Sequence, residues 1–128
     1  MFRHLLIPTD GTRLGAKAIR TGVRLAQAAD ARVTGLFIAY SYASPAYLPA
    51  MPPGALKRLM QREAEKALEP LIAASRQARV RCDTRTVLTG EPWRAILRTA
   101  RSRGCDAIVM ATHGRGALAN LVLGSETG

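Results

Sequence analysis

The chain has 128 residues, of which 48% are apolar, and this is enough for one domain with one substantial core but disfavours two domains. No charge-free apolar run approaches the roughly 20 residues of a membrane span and no signal-peptide pattern opens the chain, so a soluble cytoplasmic protein is expected. The net charge of +10 raises the question of nucleic acid, but the arginines are spread along the chain and only 5% of residues are aromatic, which indicates a solvated arginine-rich surface instead.

The first third of the chain predicts two strands separated by a helix. A short apolar run from His4 to Pro8 predicts the first strand, which ends in the turn-forming residues Thr9-Asp10-Gly11. Apolar residues then recur at helical spacing, and a second strand is expected over Val33–Ala39. The stretch from Tyr40 to Gly54 contains four prolines, which exclude regular structure, so this is the one long loop.

The rest of the chain continues the alternation. The pattern from Ala55 to Ala78 predicts an amphipathic helix with a kink at Pro70, and a third strand is expected over Val80–Leu88. A shorter helix should end at Gly104, followed by an apolar fourth strand over Ala107–Ala111. Strands alternating with helices imply right-handed crossovers and a parallel sheet covered on both faces. The predicted fold class is therefore doubly wound α/β.

Two predicted loops stand where such a sheet binds ligands, at the carboxyl ends of its strands. One is Pro8-Thr9-Asp10-Gly11 after the first strand, and the other runs from Thr112 to Gly116 after the fourth. Gly114 and Gly116 would let the backbone approach a ligand, and the N–H groups at the start of a following helix would offer an anion site. These features favour a phosphate as the occupant.

Other kinds of site fit the sequence less well. The residues from Gly114 to Ala119 match the fingerprint G-x-G-x-x-A, but that fingerprint belongs to the first strand–helix turn of a fold and needs a later acidic residue, so we reject a nicotinamide site. No phosphate-binding loop of the G-x-x-x-x-G-K-S/T type occurs. Cys82 and Cys105 match no metal-ligand spacing and are interpreted as packing residues. No base, nucleophile or metal cluster is visible, which disfavours an enzyme with rapid turnover.

A specific resemblance covers nearly the whole chain. The residues from Cys105 to Leu118, with Gly124-Ser125 after them, resemble the nucleotide motif G-x2-G-x9-G-S/T of the universal stress protein family. Gly114 and the Gly124-Ser125 pair stand at the expected spacing, whereas Ala111 occupies the slot of the first glycine. The opening strand and the Gly90-Glu91-Pro92 turn are also similar to the family. The chain is identified as a single universal stress protein domain over residues 1–128.

The resemblance implies a Rossmann-like sheet of the adenine nucleotide alpha hydrolase type with strand order 3-2-1-4. Family members continue into a fifth strand, but this sequence ends at Gly128, so we expect a domain truncated at its C-terminus without that strand. The bare edge of the fourth strand should then be covered by a loop or a partner chain, and a homodimer is expected. The implied ligand is ATP or AMP, with or without Mg²⁺, and hydrolysis is at most slow.

The family's nucleotide contacts can be carried over residue by residue. A carboxylate at Asp10 can accept hydrogen bonds from ribose hydroxyls, Ile38 can cover the adenine ring, and Ser125 with nearby N–H groups can bind phosphate oxygens. The complete set implied by the resemblance is Pro8, Thr9, Asp10, Ile38, Ala111, His113, Gly114, Arg115, Gly124 and Ser125.

Structural interpretations compete with these roles. Asp10 could cap the helix that follows it, Ser125 could cap a later helix, and His113 fits a solvent-facing loop position. Trp93, the only tryptophan, is interpreted as a packing anchor. Two function classes remain open: a nucleotide-binding module, or an interaction protein that has kept the fold but lost nucleotide affinity, as Ala111 would permit.

Overall fold

Alternating strands and helices make up residues 2–10, 13–40, 52–111 and 119–122, which are the residues described by the computed structural model. The predicted order of elements is confirmed, and the helix at Ala55–Ala78 and the strand at Ala107–Ala111 have the predicted bounds. No helix in these described ranges is long and apolar enough to cross a membrane. The elements are β1 (His4–Thr9), α1 (Arg13–Ala29), β2 (Arg32–Tyr40), α2 (Ala55–Ala78), β3 (Cys82–Thr89), α3 (Pro92–Arg103), β4 (Ala107–Ala111) and β5 (Ala119–Val122).

The strands form one sheet in the order β3-β2-β1-β4-β5, with β1 at its centre. The first four strands are parallel to one another, and β1 pairs with both neighbours, so that Leu5 faces Val33 on one side and Ala107 on the other. The predicted doubly wound sheet with order 3-2-1-4 is thereby confirmed.

The outer edge of β4 departs from expectation because β5 pairs with it in antiparallel orientation, with Ala111 opposite Ala119 and Ile108 opposite Val122. The predictions of a bare β4 edge and of no fifth strand in this chain are therefore wrong. Residues 112–118 alone separate β4 from β5, too few for the crossover that parallel strands need, whereas antiparallel strands can be joined by a short connection. The helix expected directly after the fourth-strand loop is replaced at this point by a strand.

Two apolar layers cover the two faces of the sheet. Leu5 and Ile7 of β1 point into the layer beneath α1 and α2, whereas Leu6 between them points into the layer beneath α3. All three side chains are fully buried, which is the pattern of a strand covered on both faces. Burying each such side chain contributes roughly 1.5–3 kcal/mol to stability.

Left-handed residues at the ends of α2 and α3 fix where the next strands begin. Arg79 ends α2 with φ 59°, and the Val80 N–H then bonds to the Ser75 carbonyl at 2.8 Å. This continuation of the helix end explains why β3 starts at Cys82 and not at Val80. Gly104, with φ 72°, ends α3 as predicted. Most of the predicted loop between Tyr40 and Gly54 lies outside the described residues.

Candidate functional site

The carboxyl ends of β1 and β4 lie side by side at the point where the chain order of the sheet reverses. From β1 the chain continues through α1 to β2 on one side, while β4 is the neighbour on the other side. Open α/β sheets bind ligands in the crevice outside such a reversal. Thr9 ends β1 and Ala111 ends β4, so the structure places both at this edge.

The first turn of α1 lies directly against the end of β1. Thr9 is buried, whereas Asp10 is exposed. A Cβ added to Gly15 would stand 2.8 Å from the Thr9 Oγ1 atom and 3.8 Å from the Asp10 Oδ1 atom. The Asp10 carboxylate is therefore close to the amino end of α1, where the helix dipole favours negative charge. This position fits both roles raised for Asp10, the helix cap and the ligand contact.

Ile38 supplies an apolar surface at the same edge. In the β1–β2 register Thr9 faces Phe37, so Ile38 stands level with Asp10 on the neighbouring strand. Ile38 is half-buried and packs in the α3-side layer, which also includes Met110 of β4. Pro8, one residue before Thr9, is buried. A carboxylate beside a partly open apolar surface can bind a ligand that has both hydroxyl groups and a flat ring.

The alanine at the first motif position does not strain the backbone. Ala111 is a strand residue paired with Ala119, and strand conformation is open to alanine. The described non-glycine residues with positive φ are Asp30 and Arg79, both away from this edge. Of the predicted contacts, the structure brings Pro8, Thr9, Asp10, Ile38 and Ala111 to one edge, whereas His113, Gly114, Arg115, Gly124 and Ser125 lie outside the described residues.

Within the described ranges, no group of three His, Cys, Asp or Glu side chains is arranged to hold a metal ion. Two grooves lined by described residues lie away from the predicted site. One runs along α3, and the other lies between α2 and β3. The two cysteines behave as predicted, because Cys82 and Cys105 are half-buried and pack against opposite apolar layers.

A buried polar cluster lies at the amino ends of the strands, opposite the candidate site, and was not predicted from the sequence. His4 is 3% exposed, and its Nε2 atom lies 2.6 Å from the Thr34 hydroxyl. The Asp106 carboxylate accepts hydrogen bonds from the backbone N–H groups of Arg3 at 2.8 Å and His4 at 3.1 Å. These bonds join the amino ends of β1 and β4. The sequence feature that could have indicated this cluster is the position of His4 at the start of an otherwise apolar strand.

The interpretation of Trp93 as a packing anchor is wrong. Trp93 is 59% exposed, because α3 turns Ile96, Thr99 and Ala100 towards the sheet. The Arg94 guanidinium lies over the Trp93 ring, 5.4 Å from its centroid.

Comparison with known proteins identifies a family for this chain. A universal stress protein of Thermus aquaticus is 35% identical over 129 residues, covering 99% of this chain and 89% of that protein. One from Methanocaldococcus jannaschii is 29% identical over 127 residues, covering 98% of this chain and 73% of that protein.

Solved structures share the same architecture. A universal stress family protein of Burkholderia pseudomallei has a TM-score of 0.71 at 26% identity, covering 86% of this chain and 81% of that one. A family protein of Arabidopsis thaliana solved with AMP has a TM-score of 0.64 at 12% identity, covering 89% and 79%. One from Archaeoglobus fulgidus solved with dAMP has a TM-score of 0.60 at 16% identity, covering 84% and 78%. The family model for universal stress proteins matches residues 1–128, and the chain therefore belongs to the universal stress protein family.

Proposed function

We propose that this chain binds an adenine nucleotide, ATP or AMP, at the carboxyl edge between β1 and β4 and serves as a nucleotide-dependent stress-response or regulatory module. The observation that carries the proposal is the exposed Asp10 carboxylate beside buried Thr9 and half-buried Ile38, at the reversal point of the sheet. Membership in the family supports it, as do the structures of family proteins with AMP and dAMP.

The described residues fit the nucleoside end of such a ligand. Asp10 would accept hydrogen bonds from the ribose hydroxyls, and Ile38 would cover one face of the adenine ring. The phosphates would extend towards the motif residues Gly114, Arg115 and the Gly124-Ser125 pair, whose N–H groups and side chains suit anionic oxygens. Where Mg²⁺ accompanies ATP, phosphate oxygens would hold it, as is usual for this ion.

The proposed activity is binding, with hydrolysis at most slow. A binding module changes its partner or conformation only if nucleotide has different affinity for two states. An interaction protein of the same fold remains the second candidate. The observation that supports it is the exposed Trp93 side chain.

Mass spectrometry of the denatured, freshly purified protein tests the proposal by identifying what copurifies. We expect ATP or AMP in the native protein and its loss in Gly124→Val, because a β-branched side chain would fill space that the phosphates need. Gly90→Val is the matched control, since Gly90 is exposed and a Cβ there meets no atom within 4 Å. Equal nucleotide content in all three proteins would show that the phosphates lie elsewhere.

A further inference from the structure

The outer side of α3 carries a groove that the nucleotide site does not use. We call it the α3 groove; its volume is about 510 Å³, and it is lined by Trp93, Arg94, Leu97, Arg98, Arg101 and Ser102. It lies on the solvent side of the helix, opposite the buried residues Ile96 and Ala100.

The floor of the α3 groove is apolar. Trp93 is 59% exposed and Leu97 is 44% exposed, and a spacing of four residues makes them neighbours on the helix surface. The Arg94 Nε atom lies 3.1 Å from the Glu91 carboxylate while its guanidinium covers one face of the Trp93 ring. The Arg94 side chain therefore contacts both the indole and Glu91 at the start of α3.

The rim of the α3 groove is positively charged. The helix sequence PWRAILRTARSR contains no acidic residue. Arg94 and Arg103 pair with Glu91 and Asp83. Arg98 and Arg101 are exposed, and in the described part of the chain neither has a carboxylate at ion-pair distance. Two uncompensated positive charges therefore flank the apolar floor.

We propose that the α3 groove is a docking surface for an acidic peptide segment of another protein, in which one or two apolar side chains are flanked by carboxylates. The apolar residues would pack on Trp93 and Leu97, and the carboxylates would face Arg98 and Arg101. Tryptophan and arginine are the residue types that most often dominate such interfaces.

Charge and shape favour this occupant over three others. A second copy of the chain that docked through its own α3 groove would bring the same arginines and be repelled. A single-stranded nucleic acid is usually bound by several stacking aromatic side chains, whereas Trp93 is the only aromatic residue of α3. A membrane surface calls for a broad apolar helix face, whereas Trp93 and Leu97 are the exposed large apolar side chains that α3 offers.

Tryptophan fluorescence gives a direct test, because Trp93 is the only tryptophan of the chain. The probe is a synthetic glutamate-rich peptide with two leucines one helical turn apart, and its counterpart has serines in place of the leucines. We expect the leucine peptide to shift Trp93 emission to shorter wavelength. The serine peptide should bind several-fold more weakly.

Variants locate the binding surface. Arg98→Glu/Arg101→Glu should weaken the leucine peptide about tenfold or more, and Leu97→Ala should weaken it several-fold. Arg20→Glu/Arg24→Glu on α1 is the matched control, because it changes the net charge equally at exposed positions of another helix and should leave affinity nearly unchanged. Urea unfolding of each variant checks that the fold is retained.

Three results would overturn the proposal. One is the absence of any emission change with the leucine peptide. Another is an equal loss of affinity in both double variants, which would indicate general attraction to the basic surface. The third is tighter binding of oligothymidylate or of phosphatidylserine vesicles at Trp93, which would assign the α3 groove to nucleic acid or to lipid.

Discussion

Substituting Gly15 by alanine tests how closely α1 approaches the end of β1. The added Cβ would lie 2.8 Å from the Thr9 Oγ1 atom, shorter than side chains tolerate, so Thr9 or the helix must shift. Alanine favours a helix over glycine by about 1 kcal/mol, whereas forcing a methyl group into a packed site costs typically 1–3 kcal/mol. We therefore expect Gly15→Ala to lower the free energy of unfolding by about 1 kcal/mol.

The effect of Gly15→Ala on the free energy of unfolding should have the opposite sign once the Thr9 hydroxyl is removed. In a Thr9→Ala background the nearest atoms are the Cβ at position 9, at 3.7 Å, and Asp10 Oδ1, at 3.8 Å, which are ordinary contacts. Gly15→Ala should then stabilise the protein by up to about 1 kcal/mol. The two sites should thus be coupled by about 2 kcal/mol in a double-mutant cycle.

Urea unfolding of the four proteins followed by circular dichroism measures this coupling. Equal effects of Gly15→Ala in both backgrounds would refute the reasoning, because they would show that the first turn of α1 does not contact the Thr9 hydroxyl.

Three further predictions concern protonation, the ligand and assembly. Burial, together with the charges of Arg32 and Arg103, lowers the pKa of His4 below its ordinary 6.5. Because the unfolded chain then binds this proton at a higher pH than the folded one, the urea midpoint should fall as the pH drops below about 6.5. The His4→Gln variant should show a flatter dependence of the midpoint on pH, and equal slopes in the two proteins would contradict the prediction. Asp10→Asn should weaken nucleotide binding about tenfold in calorimetry, whereas lower stability with unchanged affinity would assign Asp10 to capping alone. We predict a homodimer in sedimentation at micromolar concentration, since β3 and β5 each keep one edge without a paired strand in the described sheet; a monomer that stays in solution would contradict this.

The sequence was most informative where a pattern is long or continuous. The helical period runs through all 24 residues of α2, and both of its ends were predicted correctly. The run Ala107–Ala111 is almost wholly apolar and gave the bounds of β4 directly. Gly104 marked the end of α3, because a left-handed residue at that position is most easily a glycine.

Other features depend on contacts between distant residues and could not be predicted in this way. β5 has four residues, too few to show a period, and it follows a glycine-rich stretch that favoured a helix start. The exposure of Trp93 depends on which side of α3 meets the sheet. The His4–Thr34 hydrogen bond and the Gly15–Thr9 contact join residues of different elements, so neither leaves a local signal.

For the candidate site, residue patterns indicated which end of the sheet holds it but did not identify the ligand. Thr9 and Asp10 could be placed there because a turn follows the first strand, and Ala111 because it closes the fourth. Whether Asp10 binds a ligand or caps α1 could not be decided, since both roles place a carboxylate at the same helix end.

Isothermal titration calorimetry of the unmodified protein with ATP and with AMP tests nucleotide binding most directly. We predict saturable binding of at least one of them, with a dissociation constant below about 1 mM, which corresponds to a binding free energy stronger than about −4 kcal/mol. Failure of both nucleotides to bind in this range would contradict the proposal and leave the interaction-protein function as the better account of the chain.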